Sequence, residues 1–301
     1  MSARFGRVIT AMVTPFKADL GVDYDAARKL ARFLLEHGSD GLVVSGTTGE
    51  SATLSADEKI ELFRVVKQEV GSDGVVVAGV GSNDTAVTVS LAERAEATGV
   101  DGCMVVTPYY NRPPQRGLLK HFSKVAEKTD LPIILYNVPS RTAQRLEADT
   151  VIALAEIKNI VALKDAGGNF EEAARVVEGT PSDFELLSGD DSATLPLLSL
   201  GATGVVSVAS HIVGDRLRKM IGHALLGEVG QAQKVHVGLL PIFKALFEVT
   251  NPILVKAALS IIGVDVGGLR LPLVEASTDE KQRLKTVLDQ HGVVGSTGER
   301  L

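Results

Sequence analysis

The sequence predicts an α/β chain folded as a (β/α)8 TIM barrel with a small C-terminal helical domain, on three observations. Eight apolar, β-rich runs recur at intervals of roughly 20–35 residues with helical patterns between most of them, the size of β/α units. The runs are continuously apolar, as expected of parallel strands buried on both faces. A count of eight favours a closed barrel over an open doubly wound sheet.

The strand-like runs are Val8–Val13, Gly41–Ser45, Val75–Val80, Gly102–Thr107, Pro132–Val138, Ile160–Lys164, Phe184–Ser188 and Gly204–Val208. Helical patterns fill Tyr24–His37, Ser55–Val70, Asp84–Ala97, Gln115–Lys128 and Leu146–Ala155. Ser55-Ala-Asp-Glu58 reads as a capping box that fixes one helix start. From about Gly214 to Val294 the pattern is purely helical, and Gly295–Leu301 reads as a frayed polar end. The chain is divided accordingly into a catalytic barrel, residues 1–224, and a helical domain, residues 225–301.

Composition narrows the function. The 301 residues suffice for one large barrel with an appendage. No apolar stretch is long enough to span a membrane, and Met1–Gly6 is too short and polar for a secretion signal. The net charge of −6, with no basic block, argues against nucleic acid. An anionic substrate would therefore need local positive groups in its site. The one cysteine, Cys103, lies in a strand run and reads as packing, and its solitude suits a reducing cytoplasm. The six histidines are scattered without metal-ligand spacing, so no metal is expected.

A barrel places its chemistry at the carboxyl ends of its strands. Gly46-Thr-Thr-Gly-Glu50, Thr107-Pro-Tyr-Tyr110, Tyr136 to Arg141, Lys164, Gly189-Asp-Asp191 and Val206 all fall there. Lys164 is the most informative, because a lysine ending an apolar strand is costly unless used. Attack on a ketone needs the neutral amine, so its pKa must drop from about 10.4 to about 7–8, which apolar burial achieves. The ordinary alternative is pairing with Asp165 or snorkelling out of the barrel.

Tyr109, Tyr110 and Tyr136 are three of the four tyrosines. Each could simply pack, but a buried hydroxyl needs a partner, and Thr47 offers one. A Thr–Tyr–Tyr chain would carry protons to and from an imine. The two threonines and exposed N–H groups of GTTGE suit a carboxylate, and the loop lacks the spacing and lysine of a nucleotide-binding motif. Arg141, in a loop stiffened by Pro139, suits bidentate capture of a second carboxylate. Adjacent carboxylates at Asp190 and Asp191 argue against a phosphorylated substrate. Lys256, on the helical tail, reads as structural.

These motifs resemble the dihydrodipicolinate synthase family of the class I pyruvate aldolase superfamily. AMVTPF, GTTGES, VTPYYNRP, LYNVPSRT, the lysine of the sixth strand, LLSGDD and NPILVK occur in order over nearly the whole chain. The resemblance implies a lyase condensing pyruvate with L-aspartate 4-semialdehyde to 4-hydroxy-tetrahydrodipicolinate, on the diaminopimelate and lysine route, with no cofactor. It implies a covalent imine between pyruvate and Lys164, with Thr47 and Thr48 against the pyruvate carboxylate. Tyr136 would shuttle protons through Thr47 to Tyr110 of a neighbouring subunit. Arg141 would bind the semialdehyde carboxylate, and the backbone at Gly189 and Val206 would complete the pocket. A cytoplasmic homotetramer, a dimer of dimers with Tyr109 and Tyr110 at the tight interface, is also implied.

One departure concerns regulation. Lysine-inhibited members carry histidines after GTTGESAT and a glutamate in the helix after the third strand, where this chain has Ala56, Lys59 and Val87. Ser51, Ala52, Asn83 and Tyr109 remain, but a cationic ligand would meet Lys59 in place of a carboxylate, so weak or absent lysine inhibition is expected. The alternatives are a sugar-acid aldolase such as N-acetylneuraminate lyase, or a catalytically silent barrel. The Arg141 clamp argues against the first, and retention of every catalytic position against the second.

Overall fold

Continuously apolar strands must be covered on both faces, and here closure covers one face and helices the other. The computed structural model describes residues 3–294; Met1, Ser2 and the predicted polar end Gly295–Leu301 lie outside the described residues. Strands β1 (Val8–Ala11), β2 (Gly41–Val44), β3 (Val75–Gly79), β4 (Gly102–Val106), β5 (Ile133–Asn137), β6 (Ile160–Asp165), β7 (Glu185–Ser188) and β8 (Gly204–Ser207) form a closed barrel in that order. Every pairing is parallel, including the β1–β8 seam, where Ile9 stands opposite Val206.

The outer layer comprises α1 (Tyr24–Glu36), α2 (Ala56–Val70), α3 (Thr85–Glu96), α4 (Gln115–Ala126), the one-turn α5 (Pro139–Thr142), α6 (Ala148–Ala155), α7 (Phe170–Gly179), α8 (Thr194–Ser199) and α9 (Ser210–Leu225). Helices α10 (Val229–Leu246), α11 (Ile253–Ile261) and α12 (Thr278–Gln290) follow. The Ser55 box starts α2 as its sequence indicates, with Glu58 N–H on Ser55 Oγ at 3.2 Å and Ser55 N–H on Glu58 Oε2 at 2.8 Å.

Alternation along each strand separates two cores. Ile9, Val43, Val77, Met104, Ile134, Ala162 and Leu187 fill the barrel, plugged from below by Phe5, while the opposite faces pack on the helices. Ala162 points inward, so Lys164, two residues on, does too.

Three local differences from the sequence reading have physical causes. Some strands end before their apolar runs do, because the mouth loops are also buried; Met12 and Val13, just past β1, are each 1% exposed. Helix α9 begins at Ser210, ahead of Gly214, with a break at Val213 (φ −129°); a side chain at Gly214 would strike the His37 carbonyl. The Arg141 segment is not a loop but the helical turn α5, started by Pro139 at its first position.

The C-terminal segment is tied to the barrel by a buried ion pair. Lys256 Nζ on α11 lies 2.7 Å from Glu50 Oε1, with both side chains almost wholly buried, and also donates to the Gly268 carbonyl at 2.7 Å. Arg270 N–H donates to Glu50 Oε2 at 3.0 Å, and its guanidinium reaches Glu58 and the Leu20 carbonyl. Removing one partner of such a pair costs about 3–5 kcal/mol, because the other charge stays buried. Lys256 thus has the structural role its sequence context suggests.

Candidate active site

The loop after β2 begins and ends in the left-handed region, at Ser45 (φ 58°) and Glu50 (φ 55°), conformations that cost L-residues energy and cluster at functional sites. It folds tightly over β3 because residue 79 is glycine: a Cβ there would collide with the Ser45 carbonyl. The loop leaves Thr47 exposed and buries Thr48, whose hydroxyl accepts a hydrogen bond from Asn251 Nδ2 at 2.9 Å.

Lys164 is 5% exposed, and its Nζ sits 4.0 Å from the centroid of the Tyr136 ring. Burial lowers its pKa to about 7, the nearby Arg141 pushes the same way, and Asp191 opposes them. The anticipated rival partner, Asp165, is otherwise engaged: its Oδ1 accepts from Asn137 Nδ2 at 2.8 Å and Gly167 N–H at 3.1 Å. The result is a buried amine that is substantially neutral near pH 7, the form able to add to a carbonyl.

Burial raises the Tyr136 phenol to about 12, against opposing effects of Arg141 and of a side-chain hydrogen bond with Thr47. It therefore keeps its proton at neutral pH and is available as an acid. Cys103, by contrast, is buried in β4 with its thiol pushed up to about 12 by burial, which makes it inert packing.

A cavity of about 600 Å³ at the carboxyl end of the barrel brings together Thr47, Thr48, Tyr136, Arg141, Lys164, Gly189 and Val206. Tyr109 is not among its walls. It lines an adjoining pocket of about 460 Å³ that also holds Lys59 and Val87. Tyr110 is 89% exposed and held at φ 72°, so within one chain it does not reach the cavity.

Sequence reasoning missed two groups of wall residues. Asp191, which the sequence places at the barrel mouth but gives no role beyond an argument against phosphate, is 3% exposed and lines the cavity. It accepts hydrogen bonds from Ser207 Oγ, from Val208 N–H at 3.2 Å and from Ala209 N–H at 2.9 Å. Burial is the main influence raising its pKa. The second group, Leu240, Phe243, Lys244, Phe247 and Asn251, comes from α10 and the stretch before α11. The only sequence signal for it is the Asn251-Pro252 motif.

Residues 4–291 match the Dihydrodipicolinate synthetase family. The chain is 50% identical over 291 residues to the 4-hydroxy-tetrahydrodipicolinate synthase of Moorella thermoacetica, covering 97% of this chain and 100% of that protein. It is 55% identical over 285 residues to the enzyme of the same name from a Synechocystis strain, covering 94% and 95%. Among solved structures, DHDPS from Cyanidioschyzon merolae with lysine bound superposes with a TM-score of 0.96 at 48% identity, covering 97% of this chain and 100% of that one. Dihydrodipicolinate synthase from Aquifex aeolicus gives 0.93 at 42% identity, covering 95% and 98%.

Proposed function

The chain belongs to the dihydrodipicolinate synthetase family, and from that membership we infer that its cavity condenses pyruvate with L-aspartate 4-semialdehyde to 4-hydroxy-tetrahydrodipicolinate through an imine on Lys164. The observation that carries the assignment is the buried Lys164 amine, lowered to about 7 and facing Tyr136 at the barrel mouth. The neutral amine adds to the pyruvate ketone, and loss of water gives an iminium that acts as an electron sink. Loss of a methyl proton gives the enamine, which attacks the semialdehyde carbonyl. The substrate's amino group then displaces Lys164, closing the ring and restoring the lysine. The lysine imine supplies this chemistry without a cofactor.

We assign the remaining roles on geometry and resemblance together. Thr47 and Thr48 hold the pyruvate carboxylate, aided by backbone at Gly189 and Val206. Tyr136 moves protons at the imine, linked through Thr47 to Tyr110 of a second subunit. The 89% exposure of Tyr110, held at a positive φ, supports a role across an interface. Arg141 takes the semialdehyde carboxylate. Tyr109 joins Tyr110 at the interface of a homotetramer, and the single cysteine suits a cytoplasmic setting. We take residues 1–224 and 225–301 as the two domains, with the second contributing part of the cavity wall.

The Cyanidioschyzon merolae relative was solved with lysine bound. For this chain we propose weak or absent lysine inhibition. Lys59 is partly buried in the pocket beside Tyr109 with its pKa lowered by burial, and Val87 shares that pocket.

An assay coupling pyruvate and the semialdehyde to the next reductase tests the activity. Borohydride with pyruvate should attach a reduced pyruvyl group to the peptide containing Lys164. Inactivation that leaves this peptide unmodified, or full activity in Lys164→Ala, would refute the mechanism.

A further inference from the structure

The C-terminal segment closes one side of the cavity, and one of its residues touches a group assigned above to substrate. Asn251, just before α11, is 5% exposed and donates from Nδ2 to Thr48 Oγ1 at 2.9 Å. A threonine hydroxyl has one proton and two lone pairs. With a lone pair taken by Asn251, the Thr48 proton is left to donate to an anion in the cavity. The other amide atom, Asn251 Oδ1, is buried without a hydrogen-bond partner among the described residues, a penalty that an apolar side chain here would avoid.

The contact is fixed from behind. Lys256, on the helix that Asn251 precedes, pairs with Glu50, and Glu50 N–H donates to the Thr47 carbonyl at 3.1 Å. The threonine loop and Asn251 are therefore anchored to each other by the same buried ion pair.

We propose that Asn251 is a positioning residue for the keto acid, which turns the Thr48 hydroxyl toward the carboxylate of bound pyruvate as a hydrogen-bond donor. The proposal rests on the assignment of Thr48 to that carboxylate. It also makes the helical domain a part of the donor-substrate site.

Steady-state kinetics on Asn251→Ala and Asn251→Asp test it. Asn251→Ala should raise the pyruvate KM roughly tenfold, the size of one weakened hydrogen bond to a charged group, while the semialdehyde KM stays within about twofold. Asn251→Asp should be worse than alanine, because a carboxylate at 251 would take the Thr48 proton and repel the substrate anion. A purely structural role predicts the reverse order, since aspartate nearly matches asparagine in shape. In a Thr48→Ala background, Asn251→Ala should add less than about twofold, because the two act as one unit.

An unchanged pyruvate KM in either folded variant, or an aspartate variant milder than the alanine one, would overturn the proposal. Should Asn251→Ala fail to fold, the near-isosteric Asn251→Asp still decides the matter through its pyruvate KM. A wild-type protein that forms no borohydride adduct with pyruvate would instead refute the activity assigned to the cavity.

Discussion

Lys164 and Tyr136 are Cα partners across β5 and β6, and the lysine Nζ stands 4.0 Å from the centre of the tyrosine ring. The ring face favours the charged amine, while apolar burial favours the neutral one. Burial prevails, and the amine titrates at about 7. Because strand side chains alternate, a one-residue slip between these strands would turn one of the pair out of the barrel.

That balance gives the first prediction. The folded pKa of Lys164 is lowered, so between about 7 and the unfolded value of about 10.4 the unfolded chain binds the extra proton. This contribution to stability rises with pH across that window and is least favourable below about 7. Lys164→Met should be inactive yet more stable than wild type near pH 7, by an amount on the order of 4 kcal/mol if the cavity is otherwise unchanged. Denaturant unfolding at pH 7 and pH 10 checks it: the advantage should shrink at the higher pH.

Asp191 opposes the lowering of the Lys164 pKa, so removing its charge should lower that pKa further. In Asp191→Asn the acid limb of the kcat/KM profile for pyruvate should move to lower pH. Arg141, Asp190 and Lys244 also line this cavity and should be kept intact in the comparison. An unmoved limb in an active variant would show that Asp191 only braces the turn after β8.

Arg141 should distinguish the two substrates. Loss of a charged hydrogen bond to a carboxylate typically costs about 1.5–3 kcal/mol, so Arg141→Ala should lose roughly 10–150-fold in kcat/KM for the semialdehyde. Trapping of the pyruvate imine should survive. Preference of the wild type for a sugar acid such as N-acetylneuraminate would contradict the assigned acceptor.

Tyr110 should act across a subunit boundary. Mixing inactive Tyr110→Phe with inactive Lys164→Ala should restore activity, because one composite site in the hybrid regains both groups. No recovery despite demonstrated subunit exchange would remove Tyr110 from the neighbour's site.

Lysine should inhibit weakly or not at all. Allosteric coupling is typically about 1–3 kcal/mol, comparable to a single charged hydrogen bond, which Val87 cannot make. Lys59 adds a charge of the same sign as the ligand's ammonium. Activity across a lysine titration decides it, and clear inhibition at sub-millimolar concentration would contradict this reading of the pocket.

The barrel is legible in the sequence because its signal is local: each strand is an apolar run, and each site loop follows one. The same rule puts Lys164, Tyr136 and Arg141 at the mouth. Asp191 is visible as a carboxylate, but its burial depends on donors from Ser207, Val208 and Ala209, which only the closed barrel brings beside it. Asn251 is harder still. It meets Thr48 from 203 residues away, and no periodicity or spacing encodes such a meeting. The helical turn at Arg141 escapes sequence reading because four residues are too few to show a 3.6-residue period.

The Glu50–Lys256 tie also bears on how the protein is made. On the ribosome, all eight strands emerge before Asn251, Lys256 and Arg270 are synthesised. At typical elongation rates of about 5–20 residues per second, the nascent barrel spends seconds with Glu50 lacking its cation and Thr48 its amide. Over that interval the lysine strand can be in place while the site is incomplete. Release of a chain cut short before α10 would yield a barrel with a wall missing and an uncompensated buried carboxylate, predisposed to unfold and be degraded. Closure of the substrate site thus trails synthesis of the barrel that carries its lysine.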